Sequence, residues 1–212
     1  SVGAAYTLMT FLTSILIGLC MGSGSLVSFY FGKQDKEKME VCVQGSFLLT
    51  GGVTVVINVL VFVFINQILR ILQIPAEILE MSHEYAKIIF AGIFFVFLYN
   101  YYAYLLRSIG NSVIPLVFLG TTSILNVVLD IIFVVTFGWG IGGAAQATVI
   151  SQAISGVGIS IYVWIKEPVF RLRLFGKNRI FLTGESMQEI TRFSFAASIQ
   201  QSVMNLGILM IQ

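Results

Sequence analysis

Ile114-Pro-Leu-Val-Phe-Leu-Gly-Thr-Thr-Ser-Ile-Leu-Asn-Val-Val-Leu-Asp-Ile-Ile-Phe-Val-Val-Thr-Phe137 is a run of twenty-four residues with one charged side chain, Asp130. At about 1.5 Å per residue a helix of this length reaches across a hydrocarbon layer of about 30 Å. The run therefore predicts a membrane span, and it places an acid inside that span.

Five further apolar runs flank it, at 4–31, 41–66, 86–106, 143–165 and 193–212. Each approaches the roughly 20 residues a spanning helix needs. Only helices and closed barrels satisfy every backbone polar group in lipid. Barrel strands are about 10 residues long and alternate strictly; these runs are longer and do not alternate. The fold class is thus all-α, a polytopic membrane helix bundle. Composition agrees, with 57% hydrophobic and 10% charged residues, whereas a soluble domain carries about 25% charged residues. A net charge of +2 is too small to point to nucleic acid. Residues 1–166 read as five spans, 167–192 as a connector, and 193–212 as the start of a further helix. The chain opens at Ser1 without Met or a basic leader and stops at Gln212 inside an apolar run, so it reads as a segment of a longer protein.

Orientation follows from the connectors. Alternating spans put 32–40, 107–113 and 166–192 on one side. Together these hold Lys33, Lys36, Lys38, Arg107, Lys166, Arg171, Arg173, Lys177, Arg179 and Arg192; the other side holds Arg70 and Lys87. Positive charge marks the cytoplasmic side, and the localisation expected is an integral protein of the cell membrane. Trp139 and Trp164 fall at opposite ends of one run, as interfacial aromatics do. Tyr99, Tyr101, Tyr102 and Tyr104 read as an interfacial cluster near an inner end. Ile74-Pro75 opens a short helix, with Pro in a tolerated first turn, and Ser186-Met-Gln-Glu189 matches a capping box at the start of the last helix.

Asp130 carries the functional expectation. A charged Asp at a helix centre costs about 2.5–3.5 kcal/mol on insertion scales, and an acid at such a depth marks an ion or proton path by default. A proton or a bound Na⁺ neutralises it. Asn126 shares its helix face at i−4, and the two oxygens suit a hard cation; the same amide could instead bond the carboxylate or a neighbouring helix. Other polar side chains within spans include Gln44, Thr50, Thr54, Asn58, Asn100, Gln146, Thr148, Ser151, Gln152, Gln200, Gln201, Ser202 and Asn205. They cannot all face lipid, so they predict a polar cavity or helix–helix bonds. Asn100, Gln152, Gln200 and Asn205 are the candidates for lining a cavity.

Several motifs carry no chemistry. Gly138-Trp-Gly140-Ile-Gly-Gly143 matches G-x-G-x-x-G, but no strand precedes it and no acid follows at the spacing a dinucleotide site requires. It reads as a tight turn. Gly18, Gly22 and Gly24 predict close helix packing or a bend. Cys20 and Cys42 read as packing residues, and His83, without convergent partners, as a solvated loop residue. With no nucleophile–base set and no metal cluster, the sequence does not read as an enzyme and calls for no cofactor beyond the coupling ion.

Four stretches resemble the MATE (multidrug and toxic compound extrusion) family. Leu105-Leu-Arg-Ser-Ile-Gly110-Asn-Ser-Val-Ile-Pro115 resembles the connector after its fourth helix. Ile124-Leu-Asn126-Val-Val-Leu-Asp130 resembles its fifth helix, and Gly142-Gly-Ala-Ala-Gln-Ala-Thr148-Val-Ile-Ser-Gln152 the start of its sixth. Gly22-Ser-Gly-Ser, with Phe31-Gly32-Lys33-Gln-Asp35, resembles the end of its second helix. The resemblance implies an N-terminal lobe comprising helices two to six, followed by the start of the seventh, which opens the second lobe. The first helix and most of the second lobe would then complete the protein. It also implies a cation site at Asp130, Asn126 and Thr148, and export of drugs or toxic organic compounds, cationic or amphipathic, against H⁺ or Na⁺. The family's proline early in helix seven has no counterpart in Phe195-Ala196-Ala197. A lipid-linked oligosaccharide flippase of the same superfamily is the alternative; such a protein would show a more cationic cavity, and no Lys or Arg lies mid-span here.

Overall fold

The computed structural model describes residues 2–71, 76–172 and 182–211. Seven α-helices follow in order among them: α1 (Val2–Gly32), α2 (Lys36–Ile71), α3 (Ala76–Ala91), α4 (Ile93–Ser108), α5 (Val113–Asp130), α6 (Gly140–Lys166) and α7 (Gly184–Ile211). A π-helical turn, Ile131–Thr136, extends α5, and a 3-10 turn, Pro168–Phe170, follows α6. The described residues contain no strand.

Four helices are long and apolar enough to cross a membrane, and α3 with α4, bent by 42°, meets the same measure as a pair. The sequence reading treats 86–106 as one straight run, but the chain breaks at Gly92. A Cβ there would sit 2.8 Å from Val149 on α6, so only glycine lets the elbow approach that helix. The Asn58 amide donates to the Phe90 carbonyl at 2.7 Å, which satisfies backbone at the break. Residues 193–211 fall in α7, which does not reach the same measure of apolar length among its described residues. Its charged first turns and Gln200, Gln201 and Asn205 dilute it.

The turns follow local chemistry. Between α1 and α2, Gln34 takes φ +58, and Asp35 caps α2 by accepting from the Lys38 amide at 3.0 Å. Gly110 at φ +85 ends α4, and Asn111 accepts from the Ile114 amide at 3.3 Å to start α5. Gly138 and Gly140, at φ +68 and +57, make the tight turn before α6. Ile74-Pro75 lies outside the described residues. The capping box at Ser186 gives way to another pair. The Ser186 amide donates to Thr183 Oγ1 at 3.3 Å, so Thr183 is the cap and α7 begins at Gly184, just ahead of the start expected at Ser186. Glu189 instead accepts from the Tyr30 hydroxyl at 2.7 Å.

The core lies where α1, α2, α4 and α6 meet, around Leu26, Val27, Val43, Phe97, Tyr101, Leu105 and Ile159. Tyr101 and Tyr102 are 1% and 6% exposed, so they are core residues and not interfacial. The reason is a partner for the phenol: Tyr101 donates to the Val43 carbonyl at 2.6 Å and its oxygen lies 2.9 Å from Ser46 Oγ. Phe47, Phe97 and Tyr102 pack round its ring at 5.3, 5.7 and 5.4 Å. Cys20 and Cys42 are buried free thiols in the same cluster. Outside this core the surface is apolar, with Val55, Val56, Val59 and Val63 on α2 and Leu116, Val117, Ile124 and Val127 on α5 all exposed. Such a belt is what lipid covers.

Glycines on α1 set its distance from α7. A Cβ at Gly22 would lie 2.5 Å from the Phe193 carbonyl oxygen, whereas nothing lies within 4 Å of one at Gly52. Gly22→Ala should therefore lower the stability of the full-length protein by about 1–3 kcal/mol through overpacking. Gly52→Ala should leave stability unchanged or raise it by up to about 1 kcal/mol. Thermal unfolding in detergent checks both.

Candidate functional site

Asp130 is the last residue of α5 before the π-helical turn. That turn changes the bonding pattern at once: the Phe137 amide reaches Ile132 and the Trp139 amide reaches Phe133, each at 3.0 Å. π-turns inside α-helices recur at functional positions. The side chain of Asp130 is half-buried, and its Oδ1 is sealed from solvent with no hydrogen-bond partner. Buried polar atoms are nearly always satisfied, so an unpaired carboxylate oxygen inside a span stands out.

One turn earlier, Asn126 Nδ2 donates to Thr148 Oγ1 on α6 at 3.4 Å, and that hydroxyl donates to the Ala144 carbonyl at 3.0 Å. The structure thus ties Asn126 to Thr148 across α5 and α6, while Asp130 bonds neither. Small residues on α6 allow the approach: Gly143, Ala145 and Ala147 are buried. The Asn126 amide nitrogen is committed to Thr148, which leaves its carbonyl oxygen for a ligand.

Asn126 and Thr148 open onto a cavity of about 330 Å³ between α4, α5 and α6. Asn100 and Gln152 line it as well, together with Tyr99, Thr122, Ser123, Ser151 and Ser155. Asn100 donates to the Val96 carbonyl at 2.8 Å, and Tyr99 to the Pro115 carbonyl at 3.0 Å, so each also serves the helices. Gln152 Oε1, Ser151 Oγ and Ser155 Oγ are buried without partners. Neither Gln200 nor Asn205 borders this cavity. Gln200 is exposed on α7, and Asn205 donates to Ser14 Oγ on α1. Both sit on α7, which packs against α1 and α2, away from α5 and α6.

Sequence reasoning missed Ser155, Thr122 and Ser123. The signal was present: Thr148, Ser151, Gln152 and Ser155 are spaced i, i+3, i+4 and i+7, one polar stripe on a helix. His83 lies on helix α3, not in a loop, beside Arg70 and Glu80 in a second cavity of about 300 Å³. A third, of about 350 Å³, is lined by Glu84, Trp139 and Gln146 at the turn before α6.

A family model described as MatE matches residues 1–132. The probable multidrug resistance protein YpnP of Bacillus subtilis (strain 168) is 32% identical over 149 residues, covering 70% of this chain and 34% of that protein. An outward-facing multidrug resistance MATE family transporter of the MOP superfamily is similar with TM-score 0.85 and 25% identity, over 98% of this chain and 46% of that one. An inward-facing one is similar with TM-score 0.84 and 27% identity, over 97% of this chain and 46% of that one. The chain therefore spans half or less of the length of these relatives.

The Asn126–Thr148 bond makes a prediction. Thr148→Val keeps the shape and removes the hydroxyl. It should free the Asn126 amide and weaken cation-dependent stabilisation of the full-length protein by about 0.5–1.5 kcal/mol. Thermal shift against Na⁺ concentration and pH measures it.

Proposed function

The chain belongs to the MatE family, and on that premise we propose that it supplies one half of an exporter that drives small organic compounds out of the cell against H⁺ or Na⁺. The carrying observation is Asp130: an acid within a span, with one buried unpaired oxygen, one turn from a polar pair that faces a cavity. A carboxylate so placed needs a cation to neutralise it. Its arrival lowers the cost of burying the group and lets α5 and α6 repack against their neighbours. Repacking shifts the balance between outward- and inward-facing forms, and substrate affinity falls with it.

The magnitudes are adequate. Export of a neutral solute against a tenfold gradient requires about 1.4 kcal/mol. One charge crossing about 100 mV supplies about 2.3 kcal/mol.

The cavity supports the same reading of substrate. Its volume of about 330 Å³ falls in the range of about 300–1,000 Å³ usual for small-molecule sites. Its lining offers amide and hydroxyl oxygens, the Tyr99 ring and apolar walls from Val96 and Leu119. That set suits an amphipathic or cationic organic molecule. Neither Lys nor Arg lines it, which disfavours a polyanionic lipid-linked oligosaccharide. Membership in this family and the apolar belt describe an integral membrane protein; the positive-inside rule supports a cytoplasmic side for the connectors that hold Lys33, Lys36, Lys38 and Arg107.

Dye efflux from cells expressing full-length Asp130→Asn tests the proposal. The expected result is at least a tenfold loss of coupled efflux at normal expression. Wild-type efflux from that variant would remove Asp130 from the mechanism.

A further inference from the structure

The exposed surface of α2 changes character along its length. Gly52, Val56, Val59, Val63, Asn66 and Arg70 recur at alternating steps of four and three residues, so they form one line on the helix, and all are exposed. Val56, Val59 and Val63 are each more than half exposed. The other side of the helix is occupied: Val61, Ile65 and Leu69 are buried with Leu16, Phe90 and Ile93. α7 touches the inner end of the line, where a Cβ on Gly45 would lie 2.5 Å from Ile190 Cδ1. It then follows α1, with Ser198 Oγ donating to the Ile15 carbonyl at 3.2 Å and Asn205 to Ser14 Oγ. From Gly52 onward no described helix covers the line.

Its polar end sits at a particular depth. From Val56 to Asn66 the helix rises about 15 Å, half of a hydrocarbon layer of about 30 Å. An acyl chain laid along the valines would bring its polar end to Asn66 and Arg70. Those two residues open onto the cavity of about 300 Å³ that α2 shares with α3, lined by Asn66, Leu69, Arg70, Leu79, Glu80 and His83. This is the end of the span away from the basic connectors, where Arg70 and Lys87 are the two cationic side chains.

The lining carries both signs of charge. Arg70 offers a planar fork of N–H groups that fits a phosphate, and the Asn66 amide, one turn earlier, is a further donor. Glu80 offers a carboxylate, which accepts from an ammonium group. Among the described residues no ion pair joins Arg70 to Glu80. Leu69 and Leu79 supply an apolar floor between them. A headgroup with a phosphate and a primary ammonium answers both charges at once. A purely anionic headgroup would set a like charge against Glu80. A quaternary ammonium has no N–H to donate to it.

We propose that this cavity seats the headgroup of phosphatidylethanolamine, with the phosphate on Arg70 and Asn66, the ammonium on Glu80, and one acyl chain along Val63, Val59 and Val56. The lipid bridges α2 and α3 at the polar edge of the bilayer. The site needs a bilayer but no transport, so it stands or falls apart from the role of Asp130.

Native mass spectrometry of the full-length protein in detergent tests this. Phosphatidylethanolamine, phosphatidylcholine and phosphatidylglycerol of one acyl composition are supplied in equal amounts. Phosphatidylethanolamine should be retained over each of the others by about threefold, the size an exposed charge pair gives. Glu80→Gln should erase that preference, and Arg70→Gln should lower retention of all three. Glu84→Gln, on the same helix but lining a different cavity, should leave the preference intact. Equal retention of the three lipids by the wild-type protein, or a preference for phosphatidylglycerol, would overturn the proposal with no variant needed. A preference that survives Glu80→Gln would overturn it as well. Soluble phosphoethanolamine at equal concentration should not displace the lipid, because it lacks the chain; displacement would contradict docking along α2.

Discussion

A carboxylate taken out of water among apolar side chains must be neutralised or paired, because its hydration has nothing else to replace it. Asp130 is held under that constraint, near the end of a helix that packs mainly against α6. Its helix is covered on one side by α6 and open to lipid on the other. The α-helix changes to a π-helical turn at this residue. The nearest polar pair, Asn126 with Thr148, is closed on itself, so it leaves one carboxylate oxygen unanswered. A proton or a metal cation is the smallest group that answers it.

The fold was legible where length and charge decide it. Runs at 4–31, 41–66 and 143–165 became α1, α2 and α6, because about 20 apolar residues have no other stable form in lipid. Asn126 and Thr148 could be placed together because the resemblance paired their two helices. What escaped were features set by contact and not by composition. The elbow at Gly92 depends on Val149 approaching from another helix. The burial of Tyr101 depends on a carbonyl at Val43 that the sequence cannot bring near. Ser186-Met-Gln-Glu189 reads as a capping box until Tyr30 claims the glutamate. Gln200 and Asn205 do not border the cavity between α4, α5 and α6, because α7 packs against α1 and α2.

Two packing regimes coexist in this chain. Around Phe97 and Tyr101, large side chains exclude one another into a single arrangement, as a soluble core would. Along α1 and α7, glycine and serine bring backbones together and hydroxyls supply the register, as is usual where lipid removes the hydrophobic drive. The cavity lies in neither region. It occupies the space between α4, α5 and α6, where Ser151, Gln152 and Ser155 keep unpaired oxygens. Its walls come from α4, α5 and α6, and its polar lining is what the proposed solute or ion would meet.

The central claim is that Asp130 is an acid held away from water that a cation neutralises. Carbodiimide labelling of the full-length protein in lipid, read by mass spectrometry, addresses it directly, since the reagent modifies protonated carboxyls in apolar surroundings. The account predicts that Asp130 is modified in preference to exposed acids such as Glu84 and Glu185, and that, for a Na⁺-coupled protein, added Na⁺ suppresses the reaction. Labelling confined to the exposed acids under every condition would contradict it.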